Sequence, residues 1–209
     1  MKLIIFGSTG TVGRHLVDQA LSLGHEVTAF ARNPEKLEIE HAERTPTLVK
    51  GDVLDPASLE RVMPGHDAVV CALGAGRKGT VRSIGTRNIL RAMESAGIRR
   101  LVCQSSLGVG DSAGNLNFFW KHIMFGWFLK EAFADHVEQE RYIKESDLDW
   151  VIVRPAAYTD GPATGEYKHG FAATERGLKL KISRADVAGF VLKQLEDDTY
   201  LRQTPGLSY

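Results

Sequence analysis

The feature that most constrains this chain is residues 2–13, where Leu3-Ile4-Ile5-Phe6 runs straight into Gly7-Ser8-Thr9-Gly10-Thr11-Val12-Gly13. Four consecutive apolar residues without alternation predict a strand buried on both faces, as in the middle of a parallel sheet. The glycines then permit a sharp turn at Gly7, close approach of backbone amides to a ligand at Gly10, and a tightly seated helix at Gly13. Amides at the start of such a helix suit an anion, a pyrophosphate above all. A plain strand-to-helix turn would use the same glycines. The buried strand before them and the amphipathic helix after them favour a dinucleotide site, with Gly7, Ser8, Thr9, Gly10, Thr11 and Val12 as its contacts.

The same unit repeats along the chain. Residues 11–23 predict the first helix, with Val12, Leu16, Ala20 and Leu23 on one face and Gly24 as its stop. Residues 25–31 predict a second strand ending at Arg32. There a dinucleotide fold meets the adenosine ribose: a carboxylate selects the 2′-hydroxyl, and a guanidinium accepts a 2′-phosphate. Arg32, with Lys36 one turn on, predicts NADP(H) over NAD(H); the alternative is a solvated loop arginine.

Residues 47–50 predict a third strand, followed by Gly51-Asp52-Val53-Leu54-Asp55. Asp52 suits the adenine amino group and Val53 the ring face, while Asp55 before Pro56 reads as the N-cap of a helix to Met63. A fourth strand, 67–73, ends in Gly74-Ala75-Gly76. Backbone at Ala72, Leu73 and Gly74 can lie against ribose and diphosphate. A helix over 81–96 follows, with Ile84, Ile89, Leu90 and Met93 inward, then a strand over 101–104 tipped by Ser105 and Ser106. Beyond a helix over 135–146, strand 150–153 leads into Arg154-Pro155-Ala156-Ala157-Tyr158, a loop suited to lie under a nicotinamide. Residues 179–182 read as a short strand, and Ser183 caps a last helix over 184–195. This alternation predicts an α/β fold: a Rossmann-type, doubly wound parallel sheet in one domain over 1–209, with about 150–209 completing the substrate pocket.

Lysines plus arginines number 26 and so do acids, so no net field attracts nucleic acid or an anionic membrane. Cys71 and Cys103 lie inside apolar runs and read as core hydrophobes, without disulfide or metal, fitting a reducing compartment. A core strand from the second residue leaves no room for a signal peptide, so the cytoplasm is expected.

Residues 115–133 stand apart, with two of the three tryptophans and five of the nine phenylalanines. Lys121, His122 and Lys130 interrupt the stretch, which is too short for the about 20 apolar residues of a membrane span. Three readings stay open: an extra core helix, an aromatic lid over the nicotinamide end with Trp127 against a flat acceptor, or a dimer surface. The chain is expected to be a monomer or weak homodimer. His122 reads as an interfacial packing residue.

Taken together, Gly-Ser-Thr-Gly-Thr-Val-Gly, Gly51-Asp-Val-Leu-Asp, Gln104-Ser-Ser, Asp149-Trp-Val-Ile-Val-Arg-Pro, Thr159-Asp-Gly-Pro-Ala-Thr-Gly-Glu-Tyr and Ile182-Ser-Arg-Ala-Asp-Val-Ala resemble the atypical short-chain dehydrogenases. Within these the chain is similar to the flavin reductase (biliverdin reductase B) family and to NmrA-like NAD(P)H-binding proteins. The resemblance spans nearly the whole chain apart from 115–133. It implies cofactor contacts from Gly7, Thr9, Gly10, Val12, Arg32, Asp52, Val53, Leu73 and Gly74. Near the nicotinamide it implies Ser106 and His136, with Ala157 and Tyr158 on the loop after the sixth strand. Ser105 and Pro155, which flank these positions, are expected to bind the cofactor as well. It further implies hydride transfer from NADPH to FMN, FAD or a linear tetrapyrrole. Ala157 stands where family members carry the histidine of Pro-Pro-His, which weighs against the tetrapyrrole and leaves a flavin-like small-molecule acceptor.

The Tyr-x-x-x-Lys pair of ordinary short-chain dehydrogenases is absent: Tyr142 is followed at the fourth place by Ser146, Tyr158 by Pro162 and Tyr167 by Phe171. Alcohol–ketone interconversion by that pair is therefore disfavoured, as is sugar epimerisation. A flavin takes hydride at N5 and a proton from water, which asks the protein mainly to hold two flat rings together. Ser106 and His136 are the candidate catalytic residues, as hydrogen-bond donor and as orienting or protonating group. No Cys/His spacing implies a metal. A binding protein that senses NADP(H) or assists assembly without turnover would share every cofactor feature.

Overall fold

The computed structural model describes residues 1–39, 44–74, 76 and 79–209, with the side chains of 121, 122, 125 and 126 left aside. Ala75 and the packing expected of His122 lie outside the described residues. Strand β1 (Lys2–Phe6) pairs in parallel with β2 (Glu26–Ala31) on one side and β4 (Ala68–Cys71) on the other. Leu3, Ile4, Ile5 and Phe6 are wholly buried, which is why the run carries no alternation. With β3 (Thr47–Lys50), β5 (Arg100–Gln104), β6 (Asp149–Pro155), β8 (Lys168–His169) and β10 (Gly206–Ser208) the sheet has the order β3-β2-β1-β4-β5-β6-β10-β8. Every pairing is parallel except β10 with the edge strand β8. Chain order reverses between β1 and β4, the switch point where such sheets open a crevice.

Helices α1 (Gly13–Ser22) and α5 (Arg184–Lys193) pack together over one face, against Leu3, Ile5, Val70 and Val102. Helices α2 (Pro56–Val62), α3 (Val81–Ala96) and α4 (Lys130–Lys144) belong with the other face, where Ile4, Phe6, Val69, Leu101 and Ile152 join one apolar cluster. Two expected caps are present: the carboxylate of Asp55 accepts from the Ala57 amide at 3.2 Å, and Ser183 Oγ from the Asp186 amide at 3.0 Å. Gly97 closes α3 at φ +71°, the left-handed turn that glycine adopts without strain.

Several expectations need correction. Helix α1 begins two residues late because Thr11 and Val12 belong to the turn. Leu23, expected inward, is 65% exposed because it sits beyond the last turn. Ile84 is only half-buried, whereas the polar Arg82, Ser83, Thr86 and Asn88 of α3 are buried. Residues 115–133 form no single core helix: a 3-10 turn (Gly110–Asn115) and a π-helix (Phe119–Phe128) precede α4, which begins five residues earlier than expected. Trp127 is 77% exposed and Phe118 74%. The short strands β7 (Ala157–Thr159) and β9 (Lys181–Ser183) pair in parallel apart from the main sheet. Along with β8 and β10 they are too short to show a period, and of these only β9 was partly legible, as 179–182.

Candidate functional site

The crevice at the switch point is a cavity of about 510 Å³ along the carboxyl ends of the sheet. Its floor is the glycine turn. Gly7 sits at φ +81°, where a Cβ would run into the Ala72 carbonyl, and a Cβ at Gly13 would run into the Gly7 carbonyl, so neither position admits a side chain. The Gly10 amide donates to Gly7 O at 2.9 Å, and Arg14 N to Gly10 O at 3.0 Å. The amides of Thr11 and Val12 have no backbone partner among the described residues, and they stand at the positive end of α1.

Of the sequence-predicted residues, Gly7, Thr9, Gly10, Thr11, Val12, Arg32, Asp52, Val53, Ala72, Leu73, Gly74, Ser105, Ser106, His136, Pro155, Ala157 and Tyr158 all line this cavity. Ser8 does not. It is wholly buried, and its hydroxyl donates to the Phe30 carbonyl at 3.2 Å, tying the turn to β2 instead of facing the crevice. Arg32 is exposed at one end, and no described carboxylate pairs with it. Beside it Asp52 Oδ1 accepts from the Leu54 amide at 3.0 Å, which shapes the turn. Val53 is held from below: its carbonyl accepts from Asn88 Nδ2 at 3.0 Å, and Gly85 of α3 leaves room for its side chain.

At the opposite end the wall is formed by Ser106, Leu116, Trp120, Met124, Leu129, His136, Tyr158 and Leu180. Trp127, expected over the acceptor, does not reach it; Trp120, Met124 and Leu129 do. A π-helix rotates its residues differently from an α-helix, so spacing alone could not show which aromatic faces in. Ser105 turns its hydroxyl away, donating to Glu140 Oε1 at 2.8 Å. Glu140 also accepts from Arg154 Nε and Nη2 (2.9 and 2.7 Å) and from Lys144 (2.8 Å). Burial works against that carboxylate's charge, but Arg154 and Lys144 outweigh it and hold Glu140 below its ordinary range. Ser106 also lines the cavity, and its hydroxyl donates only at 3.3 Å, to the Leu107 carbonyl, so of the two serines it is the one that can turn to a ligand.

His136 is half-buried, and its Nδ1 lies 3.1 Å from Gln139 Oε1. Burial, reinforced by the nearby Arg82 guanidinium, lowers its pKa to about 4, so the imidazole is neutral at pH 7. Its neighbour Asp135 does not pair with it. Asp135 accepts from the amides of Arg82 and Ser83 (3.1 and 2.9 Å), which Thr80 leaves uncapped, and holds Arg82 Nη1 at 3.4 Å. Burial pushes the Tyr158 phenol well above its usual range, and no lysine lines the cavity among the described residues. Tyr158 therefore keeps its phenolic hydrogen at neutral pH.

Arg82 lines the cavity and was missed in the sequence. The available signal was electrostatic: a cation in the first turn of a helix opposes the helix dipole and needs a separate reason. Leu116, Met124 and Leu180, also missed, carry no comparable signal.

The model of the NAD(P)H-binding family matches residues 7–198. The chain belongs to the NAD(P)H-binding family. It is 32% identical over 176 residues to the chloroplastic protein At2g34460 of Arabidopsis thaliana, covering 78% of this chain and 61% of that one. To the photosystem II assembly factor Ycf39 of Synechocystis it is 26% identical over 217 residues, covering 98% and 61%. The chain thus spans about three-fifths of the length of these relatives. Among solved structures, ChuY from Escherichia coli O157:H7, an anaerobillin reductase, superposes with TM-score 0.79 at 25% identity over 99% of this chain and 96% of that one. As in an NAD(P)H-binding protein, the cradle at Gly7 and Gly13 leaves no room for a Cβ, and the turn presents unpartnered amides to the crevice. No metal-holding group of His, Cys, Asp or Glu occurs among the described residues, and no described helix is long and apolar enough to cross a membrane.

Proposed function

We propose that this protein is an NADPH-dependent oxidoreductase that passes hydride to a flavin, FMN or FAD, or to a similarly flat conjugated acceptor. The observation that carries the reading is the continuity of one cavity, with Arg32 at one end and an apolar wall containing Trp120 at the other. The Thr11 and Val12 amides would hold the diphosphate, Arg32 the 2′-phosphate, and Asp52 with Val53 the adenine. Ala72–Gly74 would lie along the ribose, and Pro155, Ala157 and Tyr158 under the nicotinamide. Bound in this way, the cofactor would supply hydride, one proton with two electrons. The protein then orients the acceptor with Ser106 and Tyr158 as donors, stacks it against Trp120, and leaves the balancing proton to water.

A second reading, an NADP(H)-responsive assembly or sensor protein, is favoured by the exposed aromatic face of the π-helix and by the similarity to Ycf39. Steady-state oxidation of NADPH with and without FMN separates the two. FMN-dependent turnover is expected; tight NADPH binding with no oxidation in the presence of FMN would favour the second reading.

A further inference from the structure

Gln139 of α4 is wholly buried, and neither the cofactor cradle nor the acceptor wall uses it. Its side chain joins three elements directly and a fourth through Thr86. The amide nitrogen donates to Thr86 Oγ1 of α3 at 2.9 Å and to Cys103 Sγ of β5 at 3.3 Å, while the carbonyl oxygen faces His136 Nδ1 at 3.1 Å. Thr86 in turn contacts Cys71 Sγ of β4 at 3.5 Å. The orientation of the amide follows from its partners. The Cys103 thiol has two other groups to donate to, the Gln104 carbonyl at 3.7 Å and the Cys71 sulfur, and so can meet the Gln139 nitrogen as an acceptor. The NH₂ group belongs on that side, which leaves only the oxygen for His136. A carbonyl oxygen can accept and cannot donate, so Nδ1 must carry the hydrogen. The other ring nitrogen is then a lone pair. Nε2 has no protein partner among the described residues, and His136 lines the acceptor end of the cavity.

We propose that Gln139 is a positioning residue that fixes His136 as its Nδ1–H tautomer, so that Nε2 accepts a hydrogen bond and selects acceptors presenting an N–H or O–H at that edge. The charged groups around the ring are Arg82, Asp135 and Glu140, and the neutral state expected from its lowered pKa agrees with a nitrogen that is acceptor only. His136 therefore orients the acceptor and does not protonate it. In an oxidised flavin lacking a side-chain hydroxyl the sole N–H is at N3, which gives the selection a direct probe. The tautomer stands independently of the proposed function; the selection of acceptors rests on it.

The test has two arms. In long-range ¹H–¹⁵N spectra of the full chain at pH 7, with His136 assigned by its loss in His136→Asn, Nδ1 is expected to be the protonated, pyrrole-type nitrogen and Nε2 the pyridine-type. Protonation at Nε2, or at both nitrogens, would overturn the proposal. Gln139→Met is expected to release the preference and give mixed tautomers, while Gln139→Glu, which keeps the acceptor, is expected to retain Nδ1–H; an unchanged tautomer in Gln139→Met would remove Gln139 from the role. In the second arm, N3-methyl-lumiflavin is compared with lumiflavin under NADPH, and KM is expected to rise about tenfold with kcat less affected. Equal KM values would overturn the selection. Absence of turnover with either flavin, alongside the expected tautomer, would overturn the flavin reading and the selection that rests on it, leaving the Gln139–His136 relation standing.

Discussion

Arg32 stands exposed at the mouth of the cavity with no described carboxylate to neutralise it, so its charge is available to a ligand. Arg32→Asp is expected to weaken NADPH by roughly 30-fold or more, about 2 kcal/mol for a lost charge-assisted contact, while NADH affinity changes little. Titration of both nucleotides checks this, and an equal loss would remove Arg32 from the 2′-phosphate. His136 gives a pH prediction. Its folded pKa of about 4 lies below the ordinary 6.5, so between these values the unfolded chain binds more protons. Stability linked to His136 is therefore complete above pH 6.5, falls as pH drops, and is lost below about 4. The total is on the order of 3 kcal/mol. Denaturant midpoints between pH 7 and 4 should fall less steeply in His136→Asn than in the parent chain. The sequence marked His136 as a candidate, but its protonation state depends on Gln139, Arg82 and burial, which come together only in three dimensions.

At the scale of elements, the segment from the π-helix into α4 decides what the acceptor meets. Trp120 turns into the cavity and Trp127 out to solvent, so Trp120→Ala is expected to raise the acceptor's KM several-fold while sparing NADPH affinity. Trp127→Ala is expected to change neither. Paired steady-state kinetics and nucleotide titrations decide it, and an unchanged KM in Trp120→Ala would return this wall to packing alone. Helix α4 also completes α3, since Asp135 caps the amides of Arg82 and Ser83 from 53 and 52 residues away. By contrast, Asp55 and Ser183 cap their own helices within three residues, and both were legible as sequence.

For the molecule as a whole, the carboxylate of Asp186 gathers the late chain. It accepts from the Thr164 and Gly165 amides, the Ser183 hydroxyl and the Tyr209 phenol, at 2.6–2.9 Å. The loop at 164–165, the start of α5 and the residue after β10 thus meet at one buried point. Asp186→Ala should leave several of these donors unsatisfied and cost roughly 3 kcal/mol, read as a lower denaturant midpoint. A change under about 0.5 kcal/mol would deny Asp186 this role.

What the sequence determined by itself is whatever depends on neighbours in the chain. The unalternated apolar strand, the glycines that admit no Cβ, the local caps and the arginine after β2 place the fold and one end of the crevice. Burial period, backbone freedom and short-range hydrogen bonding are properties of adjacent residues. Only the tertiary structure decided the rest: the inward turn of Trp120, the Ser8 hydroxyl taken by Phe30, the cap that Asp135 lends to α3, the tautomer set by Gln139, and the strands β8 and β10. Each depends on groups that chain separation hides and packing brings within hydrogen-bonding or van der Waals reach.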